Sequence, residues 1–189
     1  MNSRSRILLV ALVSALATVA LVSAVYEPRE DFYSGNPDWA GYSRIREELG
    51  ALILGADVDR AQISRDPFSY AILLVPEEEP DRARLEFLES FVSRGGILIL
   101  ADDHGAGNEI LEYLGVGARF RHEGLLVDPV FFWKIPILPK AFDENGTAVA
   151  LNCASIVECG AGCRVLIRSS RLAFFDLDLD GMWDGGEPE

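Results

Sequence analysis

The first strong pattern along the chain is an uncharged apolar run, Ile7–Val25, which precedes a polar stretch and then alternating strand and helix signals. A helix of this length extends about 28 Å at 1.5 Å per residue, close to the ~30 Å hydrocarbon core of a bilayer. The run therefore predicts a membrane anchor within residues 1–26. Residues 27–37 are then a linker, and residues 38–189 form the domain.

The charges on either side of the run predict its orientation. Arg4 and Arg6 precede it, whereas the charged residues that follow, within 27–31, are mostly acidic. The positive-inside rule then places the N-terminus in the cytoplasm and the domain outside, as a single-pass protein of the cell membrane. The alternative is a cleaved signal peptide, with the small residues of 22–24 as the cleavage site. Either interpretation makes the domain extracytoplasmic.

The domain begins with the pattern of a βαβ unit. Ala71–Val75 and Ile97–Ala101 are continuous apolar runs, typical of strands that are buried on both faces. Between them, residues 80–94 carry apolar positions at helical spacing and end at Gly95 and Gly96, which predicts an amphipathic helix. Two strands joined by a crossover helix require a parallel pairing.

The remaining elements are predicted to be shorter. A short helix is expected near residues 108–114, and the aromatic, proline-rich segment 131–139 is predicted to be a loop. Short strands are predicted at residues 124–127, 148–152, 165–167 and 172–175.

The segment from Gly95 to Asp103, followed by Gly105 and Asn108, has a recognisable order of glycines, apolar residues and acids. With a strand that ends at Pro76, it resembles the DUF4350 family of prokaryotic, often archaeal, membrane-anchored proteins. The resemblance implies an α/β fold similar to class I glutamine amidotransferases and to flavodoxin: a three-layer, open, mostly parallel sheet. No activity is established for that family, so the resemblance implies no reaction.

The net charge of -13 excludes one class of function. Binding to nucleic acid requires clustered Lys and Arg that neutralise phosphates, and this chain has a strong excess of acidic residues. We therefore expect no nucleic-acid partner, and the acidic charge fits a soluble surface or one that attracts cations.

The most specific motif is the acidic segment 176–187 near the C-terminus. Laid on the twelve-residue calcium-loop template, it has carboxylates at positions 1, 3, 5, 9 and 12 and glycine at position 6. Calcium prefers six to eight oxygen ligands from a sharply turning loop, and Gly181 permits the turn. The segment predicts a structural Ca²⁺ held by Asp176, Asp178, Asp180, Met182 (through its carbonyl), Asp184 and Glu187. The alternative is a solvated acidic turn.

A second candidate site follows the second predicted strand. Asp102, Asp103 and His104 lie where ligands bind at the carboxyl edge of an open α/β sheet, and this trio suggests a general base or a metal site. The alternative is that the two aspartates cap the loop and the helix near Asn108. Because this neighbourhood has no cysteine nucleophile, amidotransferase chemistry is not expected.

Two kinds of covalent modification are also predicted for an exported domain. Cys153, Cys159 and Cys163 make a poor zinc set but can form one disulfide, Cys159–Cys163 or Cys153–Cys163, with one thiol left over. Asn145 begins an Asn-Gly-Thr triplet that matches the glycosylation acceptor motif.

The sequence thus favours a non-catalytic, membrane-anchored domain that binds a small ligand or an envelope protein and contains a structural calcium. Two alternatives remain: a hydrolase-like enzyme that uses Asp102, Asp103 and His104, or an accessory subunit of a transporter.

Overall fold

The computed structural model describes residues 11–19, 21, 35–38, 41–102 and 105–188. The chain divides into two compact units, residues 1–58 and 59–189, and each unit is described by itself.

The first unit contains the short helix α1, Ser43–Leu49, which ends because Gly50 adopts a left-handed conformation with a φ of 62°. An aspartate organises the segment that follows this helix. Asp57 accepts a hydrogen bond from the backbone N–H of Ile53 at 2.9 Å and forms a 3.2 Å ion pair with Arg46. This unit was expected to begin with a membrane anchor.

The predicted anchor and the single-pass membrane localisation are contradicted. Across the described parts of the chain, no helix is both long enough and apolar enough to cross a membrane. The flanking charges used for the orientation, and the proposed cleavage site at 22–24, lie outside the described residues.

The second unit begins with helices and one parallel strand pair. Asp81 caps the long helix by accepting a hydrogen bond from the backbone N–H of Arg84 at 2.7 Å, as expected for a helix N-cap. The two strands pair in parallel from Ala71 opposite Ile97 onwards, so the predicted βαβ unit is confirmed. In order, the elements are α2 Arg60–Arg65, a 3-10 turn Pro67–Ser69, β1 Ala71–Leu74, α3 Arg82–Ser93, β2 Ile97–Leu100 and α4 Gly107–Tyr113.

One face of the β1–β2 pair carries the hydrophobic core of this region. The core consists of Leu85 and Leu88 of α3 with Ile110 of α4, and alternate residues of both strands pack against it. The other face of the pair is more open, since Ile97 and Ile99 are 60% and 51% exposed. The two strands are therefore buried on one face only, although their continuous apolar sequences predicted burial on both.

The remainder of the second unit is antiparallel. Its strands are β3 Ala118–Arg121, β4 Leu125–Val127, β5 Phe132–Trp133, β6 Ile135–Asp143, β7 Ala148–Ala150, β8 Ile156–Cys159, β9 Ile167–Ser169 and β10 Phe174–Asp176. Strands β3 and β8 form one two-stranded sheet, and β4 and β10 form another. In the third sheet, β6 lies between β7 and β9, and its first half pairs with β5.

The predicted fold class, a three-layer open and mostly parallel sheet similar to flavodoxin and class I glutamine amidotransferases, is wrong. Apart from β1–β2, every strand pair in the described residues is antiparallel. The chain is a small mixed domain with several short sheets and few helices. A single βαβ unit requires only one parallel pair, and it does not determine how later strands join.

The predicted loop at residues 131–139 is also wrong, because it contains β5 and the first half of β6. Pro136 and Pro139 caused the error, since proline removes an N–H donor from a strand. The carbonyl of Pro136 still accepts a hydrogen bond from the backbone N–H of Asp128 at 3.1 Å, and that of Pro139 accepts one from the backbone N–H of Leu151 at 2.9 Å. These prolines therefore contribute acceptors to the sheet.

Core packing around α3 gives a direct stability test. Leu88 is 2% exposed, and we expect Leu88→Ala to lower the free energy of unfolding by about 3 kcal/mol, because it leaves a cavity as well as losing apolar burial. The same substitution at Leu172, which is 55% exposed, should cost less than about 1 kcal/mol. Urea denaturation of both variants checks this, and equal losses would contradict the described core.

Candidate metal centre

The acidic loop 176–187 starts from a buried strand. β10 pairs with β4, and all three of its residues, Phe174, Phe175 and Asp176, are buried. The two strands approach closely at Gly124, where an added Cβ would clash with the backbone oxygen of Asp176. The first residue of the loop is therefore held in a fixed position.

The carboxylate of Asp176 shapes the loop from inside. It is 1% exposed, and it accepts hydrogen bonds from the backbone N–H groups of Leu179 at 2.7 Å and Gly181 at 2.8 Å. Leu179 and Gly181 both have positive φ, 64° and 78°, so the backbone turns sharply between them. Glycine adopts such angles without steric cost, which explains its place at position 6 of the template.

Glu187 closes the loop from its far end. Its Oε1 accepts from the backbone N–H of Leu177 at 2.8 Å and its Oε2 from that of Asp184 at 3.2 Å. Just beyond it, the carbonyl of Pro188 accepts from the backbone N–H of Phe175 at 3.0 Å. The two ends of the loop are thus joined by hydrogen bonds.

Three carboxylates converge inside the closed loop. One carboxylate oxygen from each of Asp176, Asp178 and Glu187 lies within 4.8 Å of the other two. Carboxylate oxygens are the ligands that calcium and magnesium prefer. Each oxygen of Asp176 and Glu187 has a second lone pair besides the one facing its N–H donor, so these carboxylates can still bind a cation.

Asp180 and Asp184, the other two predicted carboxylate ligands, do not belong to this group. Asp180 accepts from the backbone N–H of Met182 at 2.7 Å, and Asp184 accepts from that of Gly186 at 3.4 Å. Both side chains stabilise local turns of the loop. Of the six ligands predicted from the template, the structure brings together the residues at positions 1, 3 and 12.

The pKa of Asp178 reflects the negative charge that gathers there. The strongest single influence on it is the hydrogen bond from the backbone N–H of Asp180, which lowers it. Partial desolvation and the charges of Asp180, Asp176 and Glu187 act in the opposite direction, and together they raise the pKa of Asp178 above the ordinary aspartate value. The loop therefore gathers negative charge that a cation would neutralise.

The second predicted site is built differently. The two carboxylate oxygens of Asp102 accept from the backbone N–H groups of Gly105 at 3.0 Å and Gly107 at 2.6 Å, where α4 begins. Asn108 exchanges two hydrogen bonds with the backbone of Phe120 in β3. Both side chains thus hold backbone in place. Asp103 and His104, the other members of the predicted trio, lie outside the described residues.

The residues predicted to be modified lie in or near turns. Cys159 and Cys163 form a disulfide with a Cα–Cα distance of 5.5 Å, one of the two pairings left open by the sequence, and Cys153 is free and partly buried. Asn145 is exposed in the turn between β6 and β7. Asp143 shapes that turn by accepting from the backbone N–H groups of Asn145 at 2.9 Å and Thr147 at 2.7 Å.

Comparison with known proteins adds no family to this description. No protein-family model, curated protein or solved structure matches the chain. The resemblance to the DUF4350 family stays a prediction.

The raised pKa of Asp178 predicts how stability changes with pH in calcium-free protein. The folded state keeps the Asp178 proton to higher pH than the unfolded state, so the free energy of unfolding falls as pH rises from about 3.9 through the raised pKa. Asp178→Asn should remove this decrease and leave the variant at least as stable as the wild type at pH 7. Chemical denaturation in chelator at several pH values measures the effect.

Asp143 provides a control of opposite sign. Its pKa is lowered, chiefly by the hydrogen bond from the backbone N–H of Thr147, so its stabilisation is present above about pH 3.9 and is lost as pH falls through the lowered pKa. Asp143→Asn should therefore destabilise the protein at pH 7. If both variants have the same pH profile as the wild type, the electrostatic description of the loop is wrong.

Proposed function

We propose that this chain is a non-catalytic binding domain whose loop 176–187 contains one structural Ca²⁺. The observation that carries the proposal is the convergence of Asp176, Asp178 and Glu187 within 4.8 Å, in a loop with glycine at the template position that turns most sharply. Three carboxylates that face one another without a cation repel, and a divalent cation converts this repulsion into attraction.

Calcium fits the loop better than magnesium does. Magnesium requires near-ideal octahedral geometry and gives up its waters reluctantly, whereas calcium accepts six to eight oxygens in flexible arrangements. Three carboxylates supply at most six oxygens, and the carbonyl of Met182 or water molecules complete the coordination shell. Asp180 and Asp184 add negative charge nearby, which raises the affinity for a divalent cation.

A structural role follows from how the loop is ordered. Asp176 and Glu187 together accept four hydrogen bonds from loop N–H groups, so the two carboxylates are oriented by the backbone before any cation binds. Bound calcium would then join the two ends of the loop and stabilise the β4–β10 pair from which it begins.

The other functions considered from the sequence gain no support. A hydrolase would need Asp102 as part of its machinery, and both oxygens of that carboxylate hold the turn into α4. No contact in the described chain favours a role as a transporter subunit. A small ligand or a partner protein remains part of the proposal, without a named identity.

Thermal denaturation with and without calcium tests the proposal. At a calcium concentration about 100-fold above the dissociation constant, the free energy of unfolding should rise by about 2.7 kcal/mol, and Tm should rise by about 5–10 °C. Magnesium at the same concentration should produce a smaller shift. Asp178→Asn should weaken calcium binding on the order of tenfold, because it removes one charged ligand from an exposed position.

The matched control is Glu144→Gln. Glu144 is an exposed acid in another turn, and its substitution changes the net charge by the same amount as Asp178→Asn. This variant should keep the full calcium response. A wild-type Tm that does not respond to calcium would refute the proposal, and so would an equal loss of response in both variants.

A further inference from the structure

A second feature, independent of the acidic loop, is the turn between β5 and β6. Lys134 alone connects the two strands, and Trp133 lies opposite Ile135 in the register. Lys134 has a φ of 69°, so the chain reverses there through a left-handed residue. We call residues 130–135 the hairpin tip.

The hairpin tip exposes an unusual amount of apolar surface. Four of its six residues have large apolar side chains that are about half exposed: Val130 55%, Phe131 45%, Trp133 51% and Ile135 47%. Large exposed apolar areas on a protein surface mark interaction sites, and these four side chains belong to one short hairpin.

Buried contacts hold the hairpin tip in this exposed position. Asp128 is fully buried, and its carboxylate accepts from the backbone N–H groups of Val130 at 2.9 Å and Phe131 at 2.8 Å. The hydroxyl of Ser170 donates to the other oxygen of the same carboxylate at 2.6 Å. The ring of Phe131 also packs edge-on against Phe142, with 5.9 Å between centroids. The base of the tip is therefore fixed, so its apolar side chains stay exposed.

Residues 129–142, which include the hairpin tip, have a positive charge, whereas the whole chain is strongly negative. The chain has a net charge of -13 and only two lysines, Lys134 and Lys140, and both lie between Asp128 and Asp143, a stretch without any acidic residue. The ammonium of Lys134 lies 4.1 Å from the centre of the Trp133 ring. An aromatic side chain and a cation are thus presented together at the end of the hairpin.

We propose that the hairpin tip docks on a phospholipid bilayer surface, with Phe131, Trp133 and Ile135 at the level of the headgroups and Lys134 against a lipid phosphate. Tryptophan is enriched at this depth because its ring is apolar and its N–H is polar. Lysine beside it adds attraction to phosphate, which is stronger where the lipid is anionic. This is peripheral contact through a loop, and it requires no spanning segment.

Tryptophan fluorescence of the full chain tests the docking, with chelator present to exclude calcium bridges. Trp39→Phe with Trp183→Phe leaves Trp133 as the only tryptophan. Vesicles of phosphatidylcholine, alone or mixed with phosphatidylglycerol, should shift its emission to the blue, and brominated lipid should quench it. The matched reporter, Trp39→Phe with Trp133→Phe, leaves Trp183, which is similarly exposed at 54%, and its emission should not change.

Vesicle sedimentation of two further variants completes the test. Lys134→Glu should lower partitioning into the mixed vesicles on the order of tenfold, because it reverses a charge at the anionic surface. Phe131→Ala with Trp133→Ala should lower partitioning into both compositions. Sedimentation with an unchanged Trp133 emission would overturn the proposal, since another part of the chain would then bind lipid. A Trp133 shift that depends on protein concentration without lipid would overturn it in favour of a second copy of the chain.

Discussion

The structure depends most on a buried carboxylate at the end of a strand. Asp176 is 1% exposed, and a buried carboxyl group is tolerated only when its oxygens form hydrogen bonds. The backbone N–H groups of Leu179 and Gly181 supply them, and in doing so they bend the acidic loop around the carboxylate. In the bent loop, one carboxylate oxygen from each of Asp178 and Glu187 lies within 4.8 Å of an Asp176 oxygen, and this convergence is the basis of the proposed cation site. One burial constraint thus produces both the shape of the loop and its chemistry.

The same arrangement occurs at the opposite end of the β4–β10 pair. In the antiparallel register Asp176 faces Leu125, whereas Asp128 follows the end where Val127 faces Phe174. Asp128 is also fully buried, and it also accepts from two backbone N–H groups of the loop that it begins. A single short strand pair therefore supports two loops of opposite character. The loop at one end gathers carboxylates, and the hairpin tip near the other contains an apolar patch with a lysine.

The sequence predicted well the features that depend on local chemistry. The helix Arg82–Ser93 and its flanking strands follow from apolar spacing and terminal glycines, and the calcium-loop template identified three residues that do converge. Features that depend on distant pairing were predicted poorly. Strand β6 was not predicted because its prolines lack a backbone N–H donor, and the sequence rules do not consider that the proline carbonyls can still accept hydrogen bonds. The positions of the two lysines, 134 and 140, are visible in the sequence, but only the structure shows that Lys134 forms the turn of an exposed hairpin.

Sensitised terbium luminescence tests the central claim most directly. Tb³⁺ resembles Ca²⁺ in size and ligand preference, and Trp183 lies within the acidic loop, so it can transfer excitation energy to an ion bound there. We predict terbium emission on tryptophan excitation that calcium displaces, with one ion bound per chain. Trp183→Phe should lose the emission, whereas Trp133→Phe should retain it. If terbium emission is absent, or if it survives in Trp183→Phe, the assignment of a calcium site to residues 176–187 is wrong.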